Sequence, residues 1–208
     1  MTNKKLRTTQ NIENIARRSF LKASGVSGVF VLAFNFSNRS EAAVKKSVLS
    51  PNAYLSIGSD NSVTVMCSRA EMGQGVYTSL TALIADELDF ELDKIKIKFA
   101  PVSEAFTNDF YGVQLTGAST SVRDAWQKLR RVGATAKTML ITAASQQWGV
   151  DAQDCSARKG IISGPQGQIT SYGSLVEAAS KLEIPKEVVL KDKSDWDYIG
   201  DTELRRLD

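Results

Sequence analysis

The sequence predicts an α+β fold in the order hairpin, helix, strand, helix, hairpin, helix. Two observations lead to this prediction. Two stretches rich in β-branched residues are each interrupted by turn-forming residues, and the segments between them place apolar residues at every third or fourth position. The chain has 208 residues, of which 42% are apolar and 24% charged, so it is long enough for one or two hydrophobic cores.

The first half of this order is a hairpin, a helix and a strand. The stretch "AYLSIGSDNSVTVMCSR" contains two β-rich runs separated by turn residues 59–61. A helix is predicted to follow, up to about residue 89, from the spacing of Val76, Leu80, Leu83, Ile84 and Leu88. The alternation in "KIKIKFA", residues 94–100, predicts a half-buried strand. The next stretch, "PVSEAFTNDFYGVQLTGA", has no clear period and is predicted to be a loop.

The second half is a long helix, a hairpin and a short helix. The long helix is predicted over 120–148, with one apolar face formed by Val122, Trp126, Leu129, Gly133, Ala136, Leu140 and Ala143. In "CSARKGIISGPQGQITSY" the turn residues 164–167 indicate a second hairpin, and 174–182 form the short helix. The charged end of the chain, 186–208, is predicted to be a linker.

The charge distribution argues against a nucleic-acid partner. Residues 1–42 carry seven Lys and Arg against two Glu, whereas the other residues have a net charge of −2. The basic character therefore belongs to the N-terminus, and generic nucleic-acid binding loses its support. The chain has no histidine and only two cysteines, Cys67 and Cys155, so no protein-ligated metal or iron–sulfur cluster is expected on it.

The N-terminus has the pattern of an export signal. Arg17 and Arg18 are followed by Phe20, Leu21 and Lys22, and then by an apolar run at 23–36 that is too short to span a bilayer. This arrangement resembles the bacterial twin-arginine signal, which predicts a signal peptide over 1–42, recognition by the twin-arginine translocase and a periplasmic location. An uncleaved signal that associates the protein with the membrane is the alternative.

Both main helices are predicted to begin at glycine-containing segments. The first begins at Gly73, Gln74 and Gly75, and the second at Gly117, Ala118, Ser119, Thr120 and Ser121. A helix N-terminus has free backbone N–H groups and partial positive charge, so it favours an anion, and glycine allows close approach to the main chain. On the pattern alone, ordinary capping is the better explanation, because Ser and Thr are common capping residues and Ser121 and Asp124 have capping-box spacing.

The segments "EMGQGVYTSLTALIADELDF" and "GVQLTGASTSVRDAWQKLRRVGATAKTMLITAASQQW" resemble the N-terminal part of the molybdenum-binding subunit of the xanthine dehydrogenase/aldehyde oxidase family. The branch they resemble is the isoquinoline 1-oxidoreductase type, whose large subunit also begins with a twin-arginine signal. The resemblance implies that residues 43–185 are part of a molybdopterin-binding domain and that 186–208 lead towards further domains.

The same resemblance implies roles for both segments. Gln74 would hydrogen-bond an apical oxygen ligand of molybdenum, with Gly73 and Gly75 giving access to the backbone. The phosphate end of the pterin cofactor would be contacted by Gly117, Ala118, Ser119, Thr120 and Ser121. Ala118 stands where the family often has glycine.

The implied function is the oxidation of aldehydes or N-heterocycles with molybdopterin, or its cytosine dinucleotide form. Electrons would pass to a separate small [2Fe-2S] subunit, with a cytochrome c as a further acceptor. The family's catalytic glutamate lies in a far C-terminal Gly-Glu motif that this sequence lacks, so we expect an N-terminal piece that is inactive alone and has no catalytic or metal-ligating residue. The alternatives are a non-catalytic module that binds an anionic cofactor or a partner, and a membrane-tethered structural module.

For the charged residues near the two segments, we predict mainly solvent exposure. Glu71 is expected to be a surface carboxylate before a helix N-terminus, with a carboxylate that faces the cofactor as the alternative. Arg69 is expected either to help hold an anionic ligand or to be a solvated residue at a strand end. A solvated helix face is predicted for Lys128, Arg130 and Arg131.

Overall fold

The computed structural model of the chain describes residues 29–33 and 53–207, and it has the predicted α+β class. Its larger sheet has four strands in the order β1-β2-β3-β4, which are Val29–Ala33, Ala53–Gly58, Val63–Cys67 and Ile95–Phe99. The first three strands are antiparallel, and β2 with β3 is the first predicted hairpin. Strand β4 pairs parallel to β3, because helix α1, Val76–Leu88, carries the chain back across the sheet.

The core lies between the larger sheet and two helices, α1 and the long helix α2, Ser121–Trp148. Buried and half-buried residues alternate along strand β3, and the buried residues Val63 and Val65 face the helices. The two helices approach closely at Gly133, where an added Cβ would lie 2.6 Å from the carbonyl oxygen of Ile84. The glycine on the predicted apolar face of α2 therefore permits close helix packing.

A smaller sheet follows α2 and differs from the predicted second hairpin. It has three antiparallel strands, β5 to β7, at Ser156–Arg158, Ile161–Ser163 and Ile169–Ser171. The predicted turn at 164–167 joins β6 to β7, and a tight turn at Lys159 and Gly160, both with positive φ, adds β5. Helix α3 is Tyr172–Ser180, and it begins two residues before the predicted start because the Ser171 side chain caps it.

The C-terminal segment lies against the helices instead of extending away as a free linker. The buried carboxylate of Asp86 in α1 accepts hydrogen bonds from the backbone N–H groups of Asp197, Tyr198 and Ile199, at 2.7–3.3 Å. The ring of Trp196 packs edge to face on Trp126 of α2, with centroids 5.7 Å apart. We call residues 191–207 the C-terminal strap. Its charged composition predicted solvent exposure, but buried carboxylates on α1 bind its backbone.

Part of the predicted export signal is included in the sheet. Val29–Ala33 come from the apolar run at 23–36 and pair antiparallel with β2, from Val29 opposite Gly58 to Ala33 opposite Ala53. The signal residues Arg17, Arg18, Phe20, Leu21 and Lys22 lie outside the described residues. Among the helices that the structure describes, none combines the length and apolarity needed to cross a bilayer.

Candidate functional site

The loop before α1, residues 70–75, surrounds the carboxylate of Glu71. One oxygen accepts the backbone N–H groups of Gly73 and Gly75 at 2.8 and 2.9 Å, and the other accepts that of Tyr77 at 2.9 Å. Both glycines have positive φ, 95° and 81°, which explains why the loop needs glycine there. Glu71 thus lies at the helix start as expected, but its side chain is only 11% exposed and takes the anion position itself.

Gln74 lies at the exposed tip of this loop. Its side-chain oxygen accepts the backbone N–H of Met72 at 2.6 Å, and its side-chain nitrogen donates to the carbonyl of Ala70 at 2.9 Å. A side-chain amide nitrogen carries two N–H groups. Within the described structure, the amide nitrogen of Gln74 donates only one of them, to the carbonyl of Ala70. The second N–H is therefore unused within the described residues and faces solvent. Space is also available, since a Cβ on Gly73 would meet no atom within 4 Å.

The second segment forms a tight turn before α2. The N–H of Thr120 donates to the carbonyl of Gly117 at 3.1 Å, and the two residues between them, Ala118 and Ser119, have φ of 51° and 53°. Left-handed φ at a non-glycine residue costs on the order of 1 kcal/mol. The left-handed conformation of this turn explains why the family often has glycine at the position of Ala118.

The five residues of this segment differ in accessibility. Gly117, Ala118 and Ser119 are exposed, Ser121 is half-buried, and Thr120 is buried. The hydroxyl of Thr120 accepts from the Asn108 side chain at 2.7 Å and donates to the carbonyl of Gly117 at 3.0 Å. Thr120 therefore holds the turn in place, and the surface that the turn offers to a ligand comes from the other four residues.

Two contacts, one partly buried and one fully buried, join the first segment to the second. The backbone N–H of Ala70 donates to the hydroxyl of Thr116 at 2.7 Å. Next to it, the guanidinium of Arg69 pairs with the carboxylate of Asp124 at 2.5 Å, and both side chains are almost fully buried. Arg69 is thus neither solvated nor a ligand-facing residue, which corrects both sequence-based expectations. Because these contacts sit directly beside the two segments, they hold the two segments next to each other.

Asp124 is the centre of this junction. Besides Arg69, it contacts the Lys128 ammonium at 2.9 Å and accepts the backbone N–H of Asp109 at 2.8 Å. The capping box with Ser121 is therefore not formed, since the Asp124 carboxylate points towards Arg69 and the preceding loop. Lys128 is only 11% exposed, so the prediction that it is solvated is also wrong.

Arg130 is the second basic residue of α2 that the structure buries. Its guanidinium lies 2.7 Å from the buried carboxylate of Glu87 and also lies over the rings of Trp126 and Trp196. It donates in addition to the carbonyl of Lys191 in the C-terminal strap, at 2.6 Å. On the helix face predicted to be solvated, the strap therefore covers Arg130, whereas Arg131 remains exposed.

The loop between the two segments is ordered by a small hairpin. Asn108 pairs with Val113, and the Asn108 side chain accepts the N–H of Phe110 at 3.0 Å. Phe106 is fully buried edge to face against Tyr54, where burial raises the pKa of the Tyr54 phenol to about 12. Phe110 and Tyr111 remain about half exposed beside the second segment. The sequence shows no period here because the loop is held by side-chain contacts.

The tips of these segments, Gln74 and residues 117–119, lie exposed on the surface of the described structure. The two hollows of note lie elsewhere, with volumes of about 400 and 620 Å³, and neither is lined by a residue of the two segments. No group of three or more His, Cys, Asp or Glu in the described ranges could hold a metal ion. The donors at the surface are an amide, hydroxyls and backbone N–H groups, which suit a ligand that brings its own metal chelator.

Sequence comparison gives a family for the chain. Residues 5–204 match the model of the molybdopterin cofactor-binding domain. The chain is 31% identical, over 94% of its length, to the membrane-bound aldehyde dehydrogenase (pyrroloquinoline-quinone) of Gluconacetobacter polyoxogenes, and 28% identical over 83% to isoquinoline 1-oxidoreductase subunit beta of Brevundimonas diminuta. It covers 26% and 22% of those proteins, so it spans about a quarter of the length of these curated relatives.

Among solved structures, quinoline 2-oxidoreductase from Pseudomonas putida 86 is similar to the chain. The TM-score is 0.46 and the identity 20%, over 60% of this chain and 15% of that one.

Proposed function

The chain belongs to the molybdopterin cofactor-binding domain family, and from this we propose that its two loop segments bind one side of a molybdopterin cofactor in an exported oxidoreductase. The observation that carries the proposal is the junction of Arg69 with Asp124 and of Ala70 with Thr116. It places an exposed amide and an exposed turn, which are distant in sequence, on adjoining loops. A cofactor with a metal end and a phosphate end needs two such neighbouring contacts.

Each segment has its own role in this proposal. Gln74 donates its second amide N–H to the metal end of the cofactor, and the turn at 117–119 with Ser121 contacts the phosphate end. The N-terminus of α1 does not take the phosphate, because Glu71 already occupies it. When bound, the cofactor supplies the redox chemistry, and these residues bind and orient it.

We propose that electrons leave the cofactor through another polypeptide. A [2Fe-2S] cluster with cysteine ligands needs four, and the chain has two. Of these, Cys67 is buried and Cys155 is partly exposed, and both are free. We therefore propose a small [2Fe-2S] subunit as the partner and a cytochrome c as a further acceptor. The substrates we propose are aldehydes or N-heterocycles, which are the classes named for the two relatives.

The cellular location in this proposal is the periplasm, reached through the twin-arginine translocase. It rests on Arg17, Arg18 and the apolar run that follows them. A membrane-associated form with an uncleaved signal is the alternative. The cytosine dinucleotide form of the cofactor is proposed alongside simple molybdopterin, because the exposed turn at 117–119 leaves space for a larger phosphate end.

The experiment is to purify the full chain from a bacterial host that makes molybdopterin and to measure bound molybdenum and pterin. We expect both, in equal amounts. Ser119→Asp should reduce both strongly, because it adds negative charge at the phosphate contact. Ser180→Asp, a substitution at the end of α3, is the matched control and should retain both.

Three other results would contradict the proposal. Binding of pyrroloquinoline quinone in place of molybdopterin would favour a quinone protein, as the name of one relative indicates for that relative. Neither cofactor, but stable capture of the small subunit, would favour a non-catalytic partner-binding module. Neither cofactor and a carbonate-resistant membrane fraction would favour a membrane-tethered structural module.

A further inference from the structure

We propose that Arg206 is a positioning residue that holds the Gln74 loop, residues 70–75, in its cofactor-binding conformation. The inference rests on the proposed function. It concerns a contact between two parts of the chain that the sequence shows as unrelated: the glycine-containing loop before α1 and the charged end of the C-terminal strap, 133 residues away.

The loop needs restraint because of its glycines. Gly73 and Gly75 both have φ values that other residues rarely adopt, and glycine itself populates many alternative conformations. The loop keeps its shape through the carboxylate of Glu71, which accepts two of its backbone N–H groups and that of Tyr77 in α1. If that carboxylate moved, the three N–H groups would lose their acceptor together, and the tip at Gln74 would lose its orientation.

Arg206 contacts both the backbone of this loop and the Glu71 carboxylate. One terminal nitrogen of its guanidinium donates to the carbonyl of Gly73 at 2.9 Å and lies 3.9 Å from the nearer carboxylate oxygen of Glu71. It therefore touches both the tip of the loop and the group around which the loop folds. Its side chain is 52% exposed, so the ion pair itself contributes little to global stability. The expected effect is local.

Contacts between the C-terminal strap and α1 position Arg206 beside the Gln74 loop. Asp86 of α1 holds the backbone of 197–199, and the N–H of Leu207 donates to the hydroxyl of Thr78 in the first turn of α1 at 2.9 Å. These contacts lie on either side of Arg206, so its position over the loop follows from a backbone that is fixed at both ends. The preceding residue, Arg205, is exposed and has no hydrogen bond or ion pair within the part of the chain that the structure describes.

That neighbour provides a matched control. Arg206→Ala and Arg205→Ala remove the same charge one residue apart, and Arg206→Lys keeps the charge and one donor for the Gly73 carbonyl. Amide hydrogen exchange of residues 71–78 is measured in the full chain without cofactor. We expect Arg206→Ala to speed exchange at Gly73, Gly75 and Tyr77 by about fivefold, the effect of one lost hydrogen bond. Arg205→Ala should match the wild type, and Arg206→Lys should be intermediate.

A second measurement separates positioning from general stabilisation. The thermal midpoint and the exchange of amides in α2 should be unchanged in Arg206→Ala. If all amides exchange faster and the midpoint falls, Arg206 is structural and the inference is overturned. It is also overturned if Arg206→Ala and Arg205→Ala give the same exchange in the loop.

Loaded protein tests the connection to the cofactor. In protein from a molybdopterin-producing host, Arg206→Ala should lose molybdenum on dialysis about fivefold faster than Arg205→Ala. Equal rates of loss would overturn the inference while leaving the proposed function in place. A wild-type protein that carries no molybdenum would instead refute the proposed function, and the exchange result would then stand as a property of the loop alone.

Discussion

The guanidinium of Arg69 and the carboxylate of Asp124 form a buried ion pair, 2.5 Å apart, between residues separated by 55 positions in the sequence. Arg69 follows β3 and Asp124 lies in the first turn of α2, so the pair connects the sheet to the long helix at the point where the two loop segments meet. Arg69 also donates to the carbonyls of Ser68 and Phe106, which satisfies its other terminal nitrogen. The relative placement of the two segments therefore depends on this pair.

Asp124→Ala is expected to destabilise the protein by about 3 kcal/mol, because it leaves the Arg69 charge buried without its partner. Chemical denaturation followed by circular dichroism measures the change. The control is Lys181→Ala, which removes an exposed pair with Glu177 and should have little effect. Equal stability of the two variants would show that the buried pair does not hold the segments together.

Asp86→Asn is expected to release the C-terminal strap. The carboxylate is buried and accepts from three successive backbone N–H groups, and an amide presents one oxygen in place of two. We expect a loss of about 2 kcal/mol and faster tryptic cleavage after Lys191 and Lys193. Asp192→Asn, an exposed position without a side-chain cap, is the control. Unchanged cleavage would mean that other contacts are sufficient to hold the strap.

Gln74→Ala is expected to slow substrate oxidation about tenfold to a hundredfold in the enzyme assembled with its partner subunits, with metal content retained. The residue is exposed and contributes little packing, so the thermal midpoint should not change. Gln127→Ala, at an exposed position of α2, is the matched control. Wild-type turnover by Gln74→Ala at full metal content would remove Gln74 from the cofactor site.

The two cysteines are expected to react very differently with iodoacetamide. Cys67 is 1% exposed, and burial raises the pKa of its thiol, so little reactive thiolate is present at pH 8. Cys155 also has a raised pKa, from partial burial and from the nearby Asp154, but reagent can reach it. Mass spectrometry should show modification of Cys155 in the folded protein, and of Cys67 about 100-fold more slowly unless denaturant is added.

Because the pKa values of both thiols are raised, the rates of modification of both cysteines should increase with pH beyond pH 9. A disulfide between the two would contradict the structure.

Replacing Arg17 and Arg18 together with Lys is expected to retain the protein in the cytoplasm, because the paired arginines are the recognised part of the predicted signal. Cell fractionation tests this, and periplasmic delivery of the Lys-Lys variant would refute the export proposal. N-terminal sequencing of the exported protein adds a second result. Cleavage after Ala42 would remove β1 from the larger sheet and leave β2 as its edge, whereas an uncleaved protein would retain β1.

Local pattern was enough to predict the long elements. Apolar residues at helical spacing predicted α1 and α2 to within about a residue at their ends, since a 28-residue amphipathic helix repeats its signal many times. The strands β5 to β7 have three residues each, too few for a period to appear, so the sequence predicted a hairpin where the structure has three strands. The two loop segments drew attention because both have glycine at a predicted helix start, but only the family resemblance predicted that they contact a cofactor.

Tertiary structure alone decided what the charged residues do. Arg69, Lys128 and Arg130 are residue types of a solvated surface, but each pairs with a carboxylate in the folded protein. Arg69 and Arg130 pair with Asp124 and Glu87 from distant elements, whereas Lys128 pairs with Asp124 one turn away in the same helix and with Asp109 of the preceding loop. In the same way, the charged sequence of the strap predicted a linker, whereas in the structure the Asp86 carboxylate binds its backbone. A sequence records which residues can ionise, but whether an ion is solvated or paired depends on long-range contacts. Those contacts exist only once the chain has folded.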